Sequence, residues 1–228
     1  MSTIIFEDRI TIPDWVQDQV SFRKWASSEE FPEQGRFAFL DGQLWVDLAM
    51  EEIFTHNLLK AEITAVLTSI VRRKSMGYFL TDGVLYSHPE AGLSTEADGL
   101  FLSFEGIESG RTALVQKASG FTEVEGEADI AIEIVSPTSV RKDTVVLRDL
   151  YHRAGVREYW LIDARGPRRQ GTERTPAIRF EILKSTPEGY AEQNPADDWQ
   201  RSDVLDASFR LISGTDRLGH PQFSVETR

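Results

Sequence analysis

Hydrophobic and polar positions change period several times along the chain, and each change predicts an element. Phe37-Ala38-Phe39-Leu40 and Leu44-Trp45-Val46 flank the pair Asp41-Gly42, the strongest short signal for a β-hairpin. From about Glu51 to Met76 the period becomes helical: Leu59, Ile63, Val66 or Leu67, and Ile70 fall on one stripe. Gly77 then predicts the stop, and Arg72, Arg73 and Lys74 complement the helix dipole in the last turn. A shorter helix is predicted over Ser21–Ser28 with Ser21 as its N-cap. Strands are predicted at 78–80, 84–86, 100–103, 130–135 and 159–163, and a helix over 144–154 closed by Gly155. Strand, helix of about ten residues and strand make a βαβ unit. The tail (178–183, Val204, 209–212) predicts edge strands or a hairpin, and residues 1–30 a leader with a short helix. No repeat, low-complexity tract or linker interrupts 1–228. The expectation is one mixed α/β domain, with a core at 35–165 and an extension at 166–228.

Composition narrows the chemistry. The 228 residues include no cysteine, which removes disulfides, Cys-ligated zinc, iron–sulfur clusters and a thiol nucleophile. The four histidines (His56, His88, His152, His220) lack the i, i+4 spacing of a helical zinc pair. There is no signal peptide and no run of eighteen apolar residues, so the expectation is a cytoplasmic protein with no membrane contact. Neither GxGxxG nor GxxxxGK[ST] occurs.

Twenty-five Lys and Arg against 37 Asp and Glu give a formal charge of −12, which disfavours a general nucleic-acid binder. Residues 141–180 nevertheless hold ten basic and five acidic side chains. That segment is either a basic face on an acidic body or a set of solvated arginines.

One acid stands where hydrophobic patterning excludes it. Ile130-Ala131-Ile132-Glu133-Ile134-Val135 reads as a strand covered on both faces, with Glu133 inside it. A buried carboxylate needs a cation, a proton or hydrogen-bond donors. Asp98 precedes the apolar run Gly99-Leu100-Phe101-Leu102, and Asp129 opens the Glu133 strand. Two carboxylates from neighbouring strand ends suit a hard divalent ion such as Mg²⁺. The competing reading pairs Glu133 with an arginine such as Arg148 and leaves Asp98 capping a turn.

Asp98 before an apolar strand, Glu133-Ile134-Val135-Ser136-Pro137, Leu40-Asp41-Gly42, His56 and the run from Tyr151 to Asp163 together resemble the bacterial restriction-endonuclease family called Uma-two, of the PD-(D/E)XK nuclease superfamily. The resemblance covers roughly residues 35–165. It implies a restriction-endonuclease-like mixed central sheet flanked by helices, to which the N-terminal segment and C-terminal edge strands are additions. It also implies one or two divalent metals, Mg²⁺ (or Mn²⁺), with Asp98, Glu133 and the carbonyl of Ile134 as ligands, and hydrolysis of DNA phosphodiester bonds. His56 and a basic residue would complete the catalytic set. The family's usual Glu before the hairpin Leu is Ala38 here, and its usual Lys before Tyr151 is Leu147. Lys142, Arg148 or His152 are the candidates to replace that lysine, with Lys142 the choice among them.

Three functions follow. The first is a metal-dependent endonuclease. The second is a catalytically inactive nuclease-fold protein that binds nucleic acid or a protein partner. The third is an acidic α/β protein in which Glu133 is only structural. A homodimer suits the first, because cutting two strands favours two-fold symmetry.

Overall fold

The computed structural model describes residues 10–117, 120–166, 178–195 and 197–228, and the backbone of 169–170 and 173–174. Ile4 and Ile5 of the leader, and Arg168, lie outside the described residues. The side chains of Arg169 and Arg174 do as well.

The protein is mixed α/β, and its strands form two six-stranded sheets. In the first, Gln43–Asp47, Arg36–Leu40, Leu93–Glu96, Leu85–His88, Gly120–Gly126 and Thr112–Lys117 lie side by side. In the second the order is Gly189–Ala191, Arg179–Thr186, Glu158–Asp163, Ile130–Ile134, Gly99–Ser103 and Gly77–Thr81. The second sheet contains the expected βαβ unit: Ile130–Ile134 and Glu158–Asp163 pair in parallel, with the helix Leu147–Arg153 between them in sequence. The tail adds a three-stranded antiparallel sheet of Gln200–Ser202, Ala207–Thr215 and Pro221–Thr227.

All five residues of Ile130–Ile134 are buried, as the unbroken apolar run predicts. Alternate side chains enter different cores. Ile130, Ile132 and Ile134 pack with Leu59, Ile63, Leu67 and Ile70 of the long helix Leu59–Lys74 and with Phe209 of the tail sheet. Ala131 and Val135 pack with Leu40, Tyr86 and Leu93 of the first sheet and with Leu150 and Tyr151 of the crossover helix. Glu133 shares the parity of Ala131 and Val135, so it points toward the first sheet.

The hairpin at 36–47 forms as predicted, and Asp41 (φ 49°) and Gly42 (φ 79°) supply the two left-handed residues of its turn. Two predicted boundaries move. The first helix is Gln19–Ala26, capped by Asp18, whose carboxylate accepts from the Ser21 amide. Ser21 is therefore the N3 residue of a capping box, and its hydroxyl oxygen accepts from the Asp18 amide. The long helix stops at Ser75, in the left-handed conformation (φ 51°), and not at Gly77. Gly77 opens the next strand, where a Cβ would lie 1.9 Å from the Leu102 carbonyl oxygen. Close backbone approach, not helix termination, requires that glycine.

Among the described residues no helix is long and apolar enough to cross a membrane.

Candidate functional site

A cavity of about 190 Å³ lies between the first sheet and the Glu133 strand, walled by Ala38, Trp45, Asp98, Glu133, Ile134 and Lys142 among others. Asp98 sits just before the strand Gly99–Ser103, which pairs antiparallel with Ile130–Ile134. Its Oδ2 accepts the Ile134 amide proton at 2.8 Å. That bond fixes one carboxylate beside the neighbouring strand's acid, and Asp98 does not merely cap a turn.

Glu133 is 2% exposed. Its Oε1 accepts from the Tyr151 hydroxyl at 2.5 Å, and its Oε2 lies 3.8 Å from the Lys142 ammonium. Burial pushes the Glu133 carboxyl well above the usual range, with Asp143 and Asp98 adding to the effect and Lys142 and Tyr151 opposing it. Burial works against the Lys142 charge, but Glu133, Asp143 and Asp98 outweigh it and hold the ammonium above the usual lysine range. Arg148 does not pair with Glu133: it donates to Glu192 at 3.1 Å and to the Tyr190 carbonyl at 3.0 Å. His152 bonds the Thr186 carbonyl at 2.7 Å. Of the three basic candidates, Lys142 alone reaches the acid.

The turn after Glu133 positions that lysine. The Ser136 amide donates to Ser139 Oγ at 2.9 Å and the Ser139 amide to Ser136 Oγ at 3.1 Å. These reciprocal bonds hold Ser136 in a local turn, as its place before Pro137 suggests. Ser139 also donates to the Asp143 carboxylate, and Asp143 lies 3.2 Å from Lys142. Lys142 and Asp143 open a π-type turn, Lys142–Val146, that leads into the crossover helix.

His56 is buried on a second π-type turn, Ile53–Leu58, that precedes the long helix. Its Nε2 lies 3.6 Å from Asp98 Oδ2 and its Nδ1 lies 3.5 Å from Glu51 Oε2. Lys60, one turn further on, stands 2.6 Å from Glu51, 2.7 Å from Asp82 and 3.5 Å from Asp98. Burial opposes the ionised form of Glu51, but hydrogen bonds from Lys60 and Asn57 prevail and bring its carboxyl down to about 2.

The structure thus gathers Asp98, Glu133, Ile134, Lys142 and His56 around one cavity. Glu51, Lys60, Asp143 and the Tyr151 hydroxyl were missed. Lys60 carried a usable signal, because it falls on the apolar stripe of Ile63, Leu67 and Val71 and so had to be buried and paired. Asp129 belongs elsewhere: it accepts from the Ser103 amide at 2.7 Å and from Arg157 at 3.1 Å. Ala38 lines the cavity, and Leu147 is fully buried in the core. Among the described residues of the basic segment 141–180, Arg148, Arg153, Arg157, Arg165 and Arg179 each pair with an acid.

No curated protein matches the chain. Among solved structures, one from Anabaena variabilis, described as a "putative nuclease", is similar with a TM-score of 0.53 and 13% identity. The likeness covers 75% of this chain and 83% of that one, and at such identity it concerns the fold. The family model described as "Putative restriction endonuclease" (Uma2) matches residues 20–208, more than the 35–165 window carried by the sequence blocks. The chain that sets Asp98 beside Glu133 in this way belongs to the Uma2 family.

Proposed function

We propose that this protein is a metal-dependent endonuclease that hydrolyses DNA phosphodiester bonds. The observation that carries the reading is the shared cavity of Asp98 and Glu133, carboxylates from two paired strands, with the Lys142 ammonium beside Glu133. Oxygen donors of this kind fit Mg²⁺ or Mn²⁺, with Asp98, Glu133 and the Ile134 carbonyl as the holding groups. Such an ion, when bound, would polarise the phosphate and make a bound water more acidic. The chain's own residues do the rest. Tyr151 holds the Glu133 carboxylate in one orientation, and the Ile134 amide holds Asp98. Lys142 supplies positive charge where negative charge develops on a phosphoryl oxygen, and its place against Asp143 keeps it protonated.

The test is nicking of supercoiled DNA by purified protein with Mg²⁺ or Mn²⁺, beside Glu133→Gln and Asp98→Asn. Loss of nicking in both variants is expected. Equal nicking by all three proteins would reject the reading, as would none by the wild type with any divalent ion. Cutting both strands favours a two-fold dimer, which sedimentation measures directly.

A second reading, an inactive nuclease-fold protein that binds nucleic acid or a protein partner, is favoured by one specific observation. Ala38 offers the cavity wall no carboxylate, and Leu147 lies in the core with no charge to offer. DNA binding without cleavage, falling steeply with salt, would support it.

A further inference from the structure

We infer that the hairpin of Ala207–Thr215 and Pro221–Thr227 is a DNA-reading ribbon, whose tip enters a groove of duplex DNA through Arg217 and Leu218. The inference rests on the nuclease reading for the cleavage it would serve, though not for the binding itself.

The ribbon lies almost wholly outside residues 20–208, the part shared with the Uma2 family. It runs antiparallel to the long helix Leu59–Lys74. At the far end of that helix the Lys74 ammonium donates to the Leu205 carbonyl at 2.6 Å, and midway the Val225 amide donates to Glu62 at 3.0 Å. Leu211, Phe223 and Val225 pack against the helix core. From Leu205 to Thr215 the extended chain covers about 30 Å, and the turns from Lys74 back to Phe54 cover about the same. The two therefore end together: the His220 ring stacks on Phe54 at 4.7 Å with 18° between the planes. Phe54 stands two residues before His56, which lines the cavity of Asp98 and Glu133. The tip is thus delivered to the end of the molecule that holds the candidate site.

Beyond the helix the ribbon stands free. Every residue of 213–222 except Asp216 is exposed, and the strands stay paired to the end, Thr215 opposite Pro221. A two-stranded ribbon of this kind fits the major groove of B-DNA, about 12 Å wide.

Charge singles out the same segment. On a chain of net charge −12, residues 213–222 hold one acid, Asp216. Its carboxylate is turned into the loop, accepting the amides of Leu218 at 2.8 Å and His220 at 2.9 Å and lying 3.5 Å from His220 Nδ1. Those bonds fix the loop and leave Arg217 outermost, with no ion pair among the described residues. Leu218 beside it is 71% exposed. A guanidinium and one apolar side chain on a rigid tip suit phosphates and base edges. One leucine among glycine and polar residues offers far less apolar area than a stable protein interface buries.

The probe is a short labelled duplex, beside one of its single strands, titrated with the full chain in EDTA and followed by fluorescence anisotropy. Wild type should bind the duplex more tightly than the strand. Arg217→Ala with Leu218→Ser should weaken duplex binding at least about fivefold, the lower end for losing a groove contact, with the melting temperature and strand binding unchanged. Leu218→Ser alone, which leaves the charge intact, should weaken it as well. No duplex binding by the wild type overturns the inference, as does equal binding by the double variant or an equal loss for strand and duplex. A double variant that binds the duplex normally but sediments as a smaller species overturns it in favour of a contact between copies of the chain. The two readings fail separately. Tip-dependent duplex binding without any nicking would sink the nuclease and leave the ribbon standing. Glu133-dependent nicking with duplex binding indifferent to the tip would do the reverse.

Discussion

Tyr151 donates its phenolic proton to Glu133 at 2.5 Å, from a helix reached only after the chain has left the Glu133 strand. The ring itself is held edge-on to Tyr159 at 5.2 Å and stacked on Tyr86 at 6.1 Å. Tyr151→Phe keeps that packing and removes the donor alone. The expected cost is about 1–3 kcal/mol, the penalty for a buried acceptor left unsatisfied. Chemical denaturation measures it. Nicking should fall as well, because the carboxylate loses the contact that orients it.

Burial makes the ionised form of Glu133 a cost to folding. Its folded-state affinity for a proton is raised, so its contribution is fully favourable only below the ordinary carboxylate range and declines as pH rises toward its folded value. Without divalent ions, Glu133→Gln should match the wild type near pH 4. Above the ordinary carboxylate range it should become the more stable protein. Melting curves across that range check the sign; a variant that loses stability relative to wild type as pH rises would contradict it.

The first helix is tied to the first sheet by Arg23, which binds buried Glu123 at 2.5 Å and also Glu125. Burial raises the Glu123 carboxyl, but Lys117 and Arg23 outweigh it, and the net shift is downward. Stability from this group is present above the ordinary glutamate value and is lost as pH falls through the lowered one. Arg23→Ala should cost about 1.5–3 kcal/mol at neutral pH, and less in acid. Denaturant titrations at pH 7 and pH 3 compare the two conditions.

Gly77→Ala tests the close approach to Leu102. The added carbon has backbone, not a flexible side chain, in its way, so one strand must shift. A loss of about 3 kcal/mol is expected, at the upper end for overpacking. A variant with an unchanged melting temperature would show that the sheet edge yields freely.

Much of this is legible in the sequence. Asp41-Gly42 announced its hairpin because few other pairs accept two left-handed residues, and Glu133 stood out as one acid in an apolar strand. The hairpin Thr112–Lys117 with Gly120–Gly126 escaped notice, since its half-exposed, polar-rich strands resemble loop in composition. Glu51 and Asp143 escaped for a different reason. An acid at a helix start is ordinarily a solvated partner of the dipole, and only the sheets behind these two turn them inward. Division of the strands into two sheets rests on long-range pairing, such as Leu85–His88 with Gly120–Gly126, which local periodicity does not encode.

The two widened turns, Ile53–Leu58 and Lys142–Val146, have a consequence for how such a site can change. One additional residue in a helical turn offsets everything upstream by about 100° from the face that anchors the helix. His56 and Lys142 are thereby phased independently of the stripes that grip the sheets. Deleting one residue from either turn would swing its polar group out of the cleft while the rods behind stay docked. The anchoring surface and the reactive surface can drift apart, one residue at a time, without unseating the scaffold.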